Sequence, residues 1–311
     1  LGYTVTLGLP QLRSRISKLY GDWYNIDLNP ERVIITTGSS GGFILSFTTL
    51  FDVGERVGIG SPGYPSYRQI LKAQNLVPVD IETKLQNKYQ PTSEDIKTNN
   101  LNGVLVASPA NPTGSMLDKF SLTKLIECSK EHNVSFISDE IYHGIEYEEP
   151  AITAVNFDSD SIVINSFSKY FSMTGWRLGW MVVPESMIRT IERLAQNLFI
   201  SPPTISQLAA IGSLDCLEEL NQTVARYKKN RELMISRLPE CGLSRFAPID
   251  GAFYAYVDVS TLSDNSEIFC REMLREIGVA ITPGIDFDRE NGMRYVRFCF
   301  SGLTEDINEA M

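Results

Sequence analysis

The residues that invite a chemical reading stand in "NSFSKYFSMTGWRLGW", residues 165–180. Lys169 lies in a run that otherwise reads as buried, with Ser166 and Ser168 just before it and Arg177 eight positions after it. An amine held in an apolar pocket loses its proton more readily than one in water and can then condense with an aldehyde. Two hydroxyls and a guanidinium beside it could grip an anion. Taken alone, a lysine in such a run more often snorkels to water.

Four other stretches carry residues of the same kind. "TGSSGG" offers Gly38, Ser39 and Ser40 where free backbone N–H groups and hydroxyls could cradle a phosphate, without the Gly-Lys-Ser/Thr ending of an NTPase loop. "SPGYPSY" presents Tyr64, "SPANPTG" presents Asn111, and "SDEIY" presents Asp139 and Tyr142. Each has a bland counterpart: a Gly/Ser turn, a turn-forming asparagine before proline, a helix-capping aspartate, and packing tyrosines with wet hydroxyls. His143 reads as structural.

Short apolar strands alternating with helices must position these groups. Helical spacing of Leu9, Leu12, Ile16 and Leu19 predicts a first helix near Pro10. Strands are predicted at 32–38, 56–60, 76–81, 103–108, 134–140, 161–168 and 178–183, with helices through 41–51, 65–75 and 118–132. That alternation implies an α/β fold with a mostly parallel sheet covered by helices on both faces. After about Ser213 the texture changes to a long polar helix near 216–238, strand 251–259, helix 265–277 and strand 293–300. The expected organisation is a large α/β domain over 1–213 and a small α+β domain over 214–311. In the last strand, alternation sets Tyr295, Arg297 and Cys299 on one face and Val296, Phe298 and Phe300 on a core face.

Ligands of open α/β sheets collect beyond the carboxyl ends of the strands, where the Ser39, Tyr64, Asn111, Asp139 and Lys169 stretches all fall. Pyridoxal 5'-phosphate makes all of the corresponding demands at once. Its aldehyde needs an amine, its pyridine nitrogen a carboxylate, its phosphate a nest and an arginine, its flat ring an aromatic face, and its phenolic oxygen hydrogen-bond donors.

The motifs "SFSKYFSMTGWRLGW", "ASPANPTG", "ISDEIY", "TTGSSGG", "PGYPSY" and "YVRFCFS" resemble, in order, those of the class I/II aminotransferases of pyridoxal-phosphate fold type I. The likeness covers nearly the whole chain. It implies that Lys169 is the Schiff-base lysine and proton shuttle, that Asp139 pairs with the pyridinium, and that Asn111 and Tyr142 bond the phenolic oxygen. It further implies that Tyr64 stacks on the ring and that Gly38, Ser39, Ser40, Ser166, Ser168 and Arg177 hold the phosphate. Arg297, assisted by Asn111, would take the substrate α-carboxylate, and Tyr3 would reach the phosphate of a neighbouring subunit in a homodimer with shared active sites. The implied reaction exchanges an amino group between an L-amino acid and a 2-oxo acid in ping-pong fashion. Two rivals share the motifs: a β-lyase, which would release ammonia and pyruvate without an acceptor, and the sensor domain of a transcription regulator.

The totals narrow the field. With 28 basic and 38 acidic residues, net charge −10, the chain lacks the basic face that nucleic acid or an anionic membrane would need. The longest apolar run, 43–51, is too short to span a bilayer, and no leader-like segment opens the sequence. Five scattered cysteines without CxxC spacing imply a reduced, cytoplasmic setting, and two histidines make a histidine-rich metal site an unpromising reading. Leu1 and the helix-like "LTEDINEAM" ending suggest that further residues belong at both ends.

Overall fold

The computed structural model describes residues 1–311. Helix α1 (Pro10–Tyr24) leads to strand β1 (Val33–Thr36) and α2 (Gly38–Leu50). There follow β2 (Arg56–Ser61), α3 (Pro65–Ala73), β3 (Val77–Glu82), α4 (Ser93–Thr98), β4 (Gly103–Ala107) and α5 (Lys119–Glu131). Next come β5 (Ser135–Asp139), β6 (Ile162–Ser166), β7 (Gly179–Val182), α6 (Glu185–Phe199), α7 (Thr204–Ser213) and α8 (Leu217–Glu240). The chain ends with β8 (Tyr254–Asp258), α9 (Ser266–Ile277), β9 (Thr282–Pro283), β10 (Tyr295–Cys299) and α10 (Thr304–Ala310).

Seven strands form one sheet in the order β1-β7-β6-β5-β4-β2-β3. Strands β2 to β6 pair in parallel, and β7 runs antiparallel to both of its neighbours, β6 and β1. Six strands therefore point the same way, and their carboxyl ends share one edge. Register draws the site loops together there: Ala107 of β4 lies beside Asp139 of β5, and Asp139 beside Ile164 of β6.

Strand alternation divides the core. Val33, Ile35, Val104, Val106, Val163 and Val182 enter a cluster of 49 buried residues on one face. Their neighbours Ile34, Leu105, Ile164 and Met181 enter a cluster of 19 on the other. The larger cluster is also where the small antiparallel sheet, order β8-β10-β9, buries Ala255, Val257, Val296, Phe298 and Phe300. The two sheets are thus fastened through one apolar continuum, which fixes the small sheet's other face against the carboxyl edge of the large one.

The predicted helix 41–51 starts three residues earlier, at Gly38. Gly38 has φ +72°, a left-handed conformation that turns the chain from strand into helix and puts Ser39 and Ser40 in the first turn. Four elements are absent from the sequence reading. α4 is a six-residue helix made by a capping box between Thr92 and Asp95, β9 is two residues long, and α6 and α7 are separated by Ser201-Pro202-Pro203.

Candidate active site

A cavity of about 280 Å³ opens where the carboxyl edge of the large sheet meets the small sheet. Ser39, Ser40, Tyr64, Asn111, Asp139, Tyr142, Ser168, Lys169, Arg177 and Arg297 all line it. Three of the expected residues do not. Gly38 and Ser166 sit behind the wall, and Tyr3 lies on the surface, 82% exposed. Ser166 spends its hydroxyl internally, 3.0 Å from the Leu178 carbonyl and 2.9 Å from the Ser168 Oγ, while accepting from the Ser168 N–H at 3.1 Å. It braces Ser168. His143 also lies off the cavity, fully used by the Tyr24 hydroxyl at 2.7 Å and the Ser108 carbonyl at 2.9 Å. Burial brings its pKa down to about 4, so the ring is neutral.

Asp139 ends β5 and is 2% exposed. The Tyr67 hydroxyl donates to its Oδ2, and the Ile141 N–H donates to Oδ1 at 3.1 Å. Burial nevertheless outweighs these bonds and the charge of Lys169, and its pKa is raised to about 6. Such a carboxylate favours a cationic N–H partner. Tyr67 is a site residue that the sequence reading misses. The available signal is its place three residues after Tyr64 at the start of α3, which sets both rings on one face in an edge-to-face pair 5.4 Å apart.

Lys169 is half-buried, its Nζ 5.7 Å from the Tyr142 ring centre and 5.9 Å from that of Phe253. Burial lowers its pKa, which favours the neutral amine. The surrounding segment is less buried than its composition suggests. Ser172 and residues 174–177 are exposed at the cavity rim, while Phe167, Tyr170, Phe171, Met173 and then Leu178 are anchored in the core. Arg177 occupies that rim with φ +53°, its Nη1 donating to the Thr174 carbonyl at 3.0 Å. Two glycines permit the closeness of this corner. A Cβ on Gly38 would come 2.9 Å from the Arg177 Nη2, and one on Gly179 would come 2.7 Å from the Asn165 carbonyl and 3.0 Å from the Ser39 nitrogen. The first-turn N–H groups and hydroxyls of α2, Ser168 and Arg177 together make an anion nest.

The opposite wall belongs to the small sheet. Arg297 donates from Nη1 to the Asn111 Oδ1 at 2.9 Å and from Nη2 to the Thr282 Oγ1 at 3.2 Å. Its guanidinium is packed between the Tyr254 ring at 4.3 Å and the Phe287 ring at 4.8 Å. Its Nε is buried without a protein partner. Tyr254, a second residue missed in the sequence, meets Tyr142 hydroxyl to hydroxyl at 2.9 Å.

The donor set suits pyridoxal 5'-phosphate. The cavity carries an anion nest, a lysine whose pKa burial lowers, a buried carboxylate with a raised pKa, and a guanidinium with an unused N–H. The fold is aspartate-aminotransferase-like, with Lys169 among the residues that line its cavity. The pattern of the family described as "Aminotransferase class I and II" matches residues 1–311, and the chain belongs to that family. The valine–pyruvate aminotransferase of Mycobacterium tuberculosis is 44% identical to it, over 100% of this chain and 82% of that protein. A crystal structure of an aminotransferase from Mycobacterium tuberculosis superposes with a TM-score of 0.97 at 44% identity, covering 100% of this chain and 82% of that one. An aromatic aminotransferase from Pyrococcus horikoshii superposes with a TM-score of 0.93 at 28% identity, covering 99% and 85%. The protein is therefore an aminotransferase, moving amino groups between amino acids and oxo acids. The family depends on pyridoxal phosphate. No helix is long and apolar enough to cross a membrane.

Proposed function

We propose that this cavity binds pyridoxal 5'-phosphate and that Lys169 is both its covalent anchor and the proton carrier of a ping-pong exchange between an L-amino acid and a 2-oxo acid. The observation that carries this reading is the meeting of Lys169, Asp139, Arg177 and Arg297 around one cavity, drawn from strand ends of the large sheet and from the small sheet. When bound, the cofactor supplies an aldehyde for the amino group and a ring that accepts the electron pair left on the substrate α-carbon. Arg297 takes the α-carboxylate through its planar fork, with the unpartnered Nε–H among the donors. Asn111 orients that fork from the large sheet. Lys169, as the neutral amine that burial favours, removes the α-proton and then acts as general acid.

Asp139 holds a proton on the pyridine nitrogen, and Tyr142 and Asn111 donate to the phenolic oxygen. Tyr64 stacks on the ring. Ser39, Ser40, Ser168 and Arg177 grip the phosphate, with Gly38 and Ser166 shaping that grip from behind. We divide the chain functionally into 1–213, which carries the cofactor groups, and 214–311, which carries the carboxylate clamp. A homodimer is supported by the N-terminal segment. It is tied to the α6–α7 region by Thr6 Oγ1 to the Ile200 carbonyl at 3.0 Å and Thr204 Oγ1 to the Gly2 carbonyl at 2.8 Å, and this joint face exposes Tyr3, Val5, Ile200 and Ile205. Tyr3 would serve the neighbouring subunit's phosphate. Five cysteines without a disulfide support a cytoplasmic setting.

A panel of amino donors with pyruvate and 2-oxoglutarate, beginning with valine, tests the reading. Exchange that gives parallel-line kinetics supports it. Release of ammonia and pyruvate without an acceptor would replace it with a β-lyase.

A further inference from the structure

Tyr254 is the first residue of β8, on the small sheet, yet it touches both halves of the site. Arg297 lies opposite Tyr256 across the β8–β10 pair, so Tyr254 is its diagonal neighbour on the same face. The Arg297 guanidinium stands 4.3 Å from the Tyr254 ring centre. At its other end the Tyr254 hydroxyl is 2.9 Å from that of Tyr142, and neither hydroxyl has another protein partner. Both side chains are at least 95% buried, with Tyr142 at 4% and Tyr254 at 5% exposure. The pairing is therefore closed to bulk water, except toward the cavity that both line.

We propose that Tyr254 is a positioning residue: its hydroxyl donates to the Tyr142 oxygen, aiming the Tyr142 hydrogen into the cavity, while its ring backs Arg297. A phenol has one hydrogen, so only one member of the pair can donate to the other. The member nearer a fixed positive charge is the stronger acid and the better donor, and that is Tyr254, in face contact with Arg297. Burial raises both phenols, but the mutual bond and Arg297 pull Tyr254 down, whereas the same bond raises Tyr142 further. Donation from Tyr254 polarises Tyr142 and strengthens it as a donor in turn. The side chain thereby links the carboxylate clamp on one sheet to the phenol beside Lys169 on the other. This role rests on the proposal that Tyr142 donates to the cofactor's phenolic oxygen.

The test uses the holoenzyme and the variants Tyr254→Phe, Tyr142→Phe and the double variant. The readout is the pH titration of the absorbance of lysine-bound cofactor, together with kcat and KM. A weaker donor at the phenolic oxygen leaves more negative charge there and makes the neighbouring nitrogen more basic. Both single variants should therefore titrate at higher pH than the parent, Tyr142→Phe by more. Tyr254→Phe keeps the ring on Arg297, so kcat should fall about three- to tenfold, the scale of one hydrogen bond, with KM for the amino acid within about twofold. The double variant should match Tyr142→Phe, because Tyr254 acts through it. A Tyr254→Phe enzyme with parental titration and kcat overturns the proposal, and so do effects that add in the double variant. A parent protein that takes up no cofactor colour overturns the functional reading instead, before any variant is made.

Discussion

The two walls of the cavity are built on different principles. On the large sheet, the contributing groups stand at or just beyond strand ends, Asp139 closing β5, Ser39 and Ser40 opening α2 and the rest in loops, and neighbouring strands bring them together: Ala107 beside Asp139 beside Ile164. On the small sheet, Arg297 and Tyr254 belong to the strands themselves, and they reach the site because the opposite strand face is sunk in the shared core. The first wall is set by local turns and register, and the second by how two sheets dock. The contrast assigns the two walls different tasks. Under the proposed function the first would hold the cofactor, and the second would act on the substrate that arrives between them.

The largest way to break this division is Lys169→Ala. The variant should fold, since Lys169 is half-buried and no hydrogen bond to its amine holds the loop. It should bind cofactor without the imine's absorbance, and turnover should fall by about 10²–10⁴ or more, the range for loss of a general acid–base group. A visible imine on another lysine, found by borohydride trapping and peptide mapping, would move the centre of the first wall elsewhere.

Next comes Asp139→Ala, expected to retain cofactor through the anion nest yet lose about 3–4 kcal/mol of transition-state stabilisation, the scale of a principal electrostatic group. Single-turnover kinetics measures it. Near-parental rates would show that another group protonates the ring.

Arg297→Lys sharpens the contrast from the other side. Lysine keeps the charge but not the planar fork held between Tyr254 and Phe287. All amino-acid and oxo-acid substrates should weaken together by roughly 2 kcal/mol, about thirtyfold in kcat/KM, with cofactor colour unchanged. Loss of colour, or altered preference among side chains at constant overall activity, would mean that the second wall is not a carboxylate clamp.

The same contrast explains what the sequence disclosed. The first wall was legible because glycine, proline and asparagine mark strand-end loops: Gly38, Pro62, Asn111 and the "SDE" ending each announced a turn with chemistry in it. The Arg297 face was legible from alternation within β10. Partnerships across distance were not. Tyr67 is hinted at by its spacing from Tyr64, but its bond to Asp139 and that of Tyr254 to Tyr142 follow from how α3 meets the end of β5 and how β8 meets the loop after β5, which no local pattern encodes. Ser166 looked equivalent to Ser168 by type and spacing. Its hydroxyl turns away because the Leu178 carbonyl, twelve residues on, lies within 3.0 Å. The exposure of residues 174–177 was hidden by apolar composition, since Trp176 sits at the rim, 44% exposed.

The smallest expected effect is also the most specific test of the first wall. Tyr67→Phe removes one hydroxyl, and with it the donor to Asp139 Oδ2, while its ring still packs edge-on against Phe43, 5.1 Å away, and against Tyr64. In the cofactor-free protein Asp139 titrates at about 6, above its ordinary value near 3.8, because burial outweighs the Tyr67 bond, the Ile141 N–H and Lys169. A folded-state pKa above the unfolded one means that the folded protein binds more protons between the two values. This group's contribution to stability is therefore fully present below about 3.8 and is lost as pH rises through about 6. Tyr67 lowers the folded value, so deleting its hydroxyl should carry the loss to higher pH and deepen it. Cofactor-free Tyr67→Phe should be less stable than the parent by about 1 kcal/mol at pH 8, a difference that shrinks as pH falls through the Asp139 titration. Urea unfolding at a series of pH values measures it. With cofactor bound, a pyridinium N–H beside Asp139 should offset the loss, and the two proteins should converge at neutral pH. A difference that is independent of pH would mean that Tyr67 supports α3 by packing alone and that Asp139 is governed by other groups.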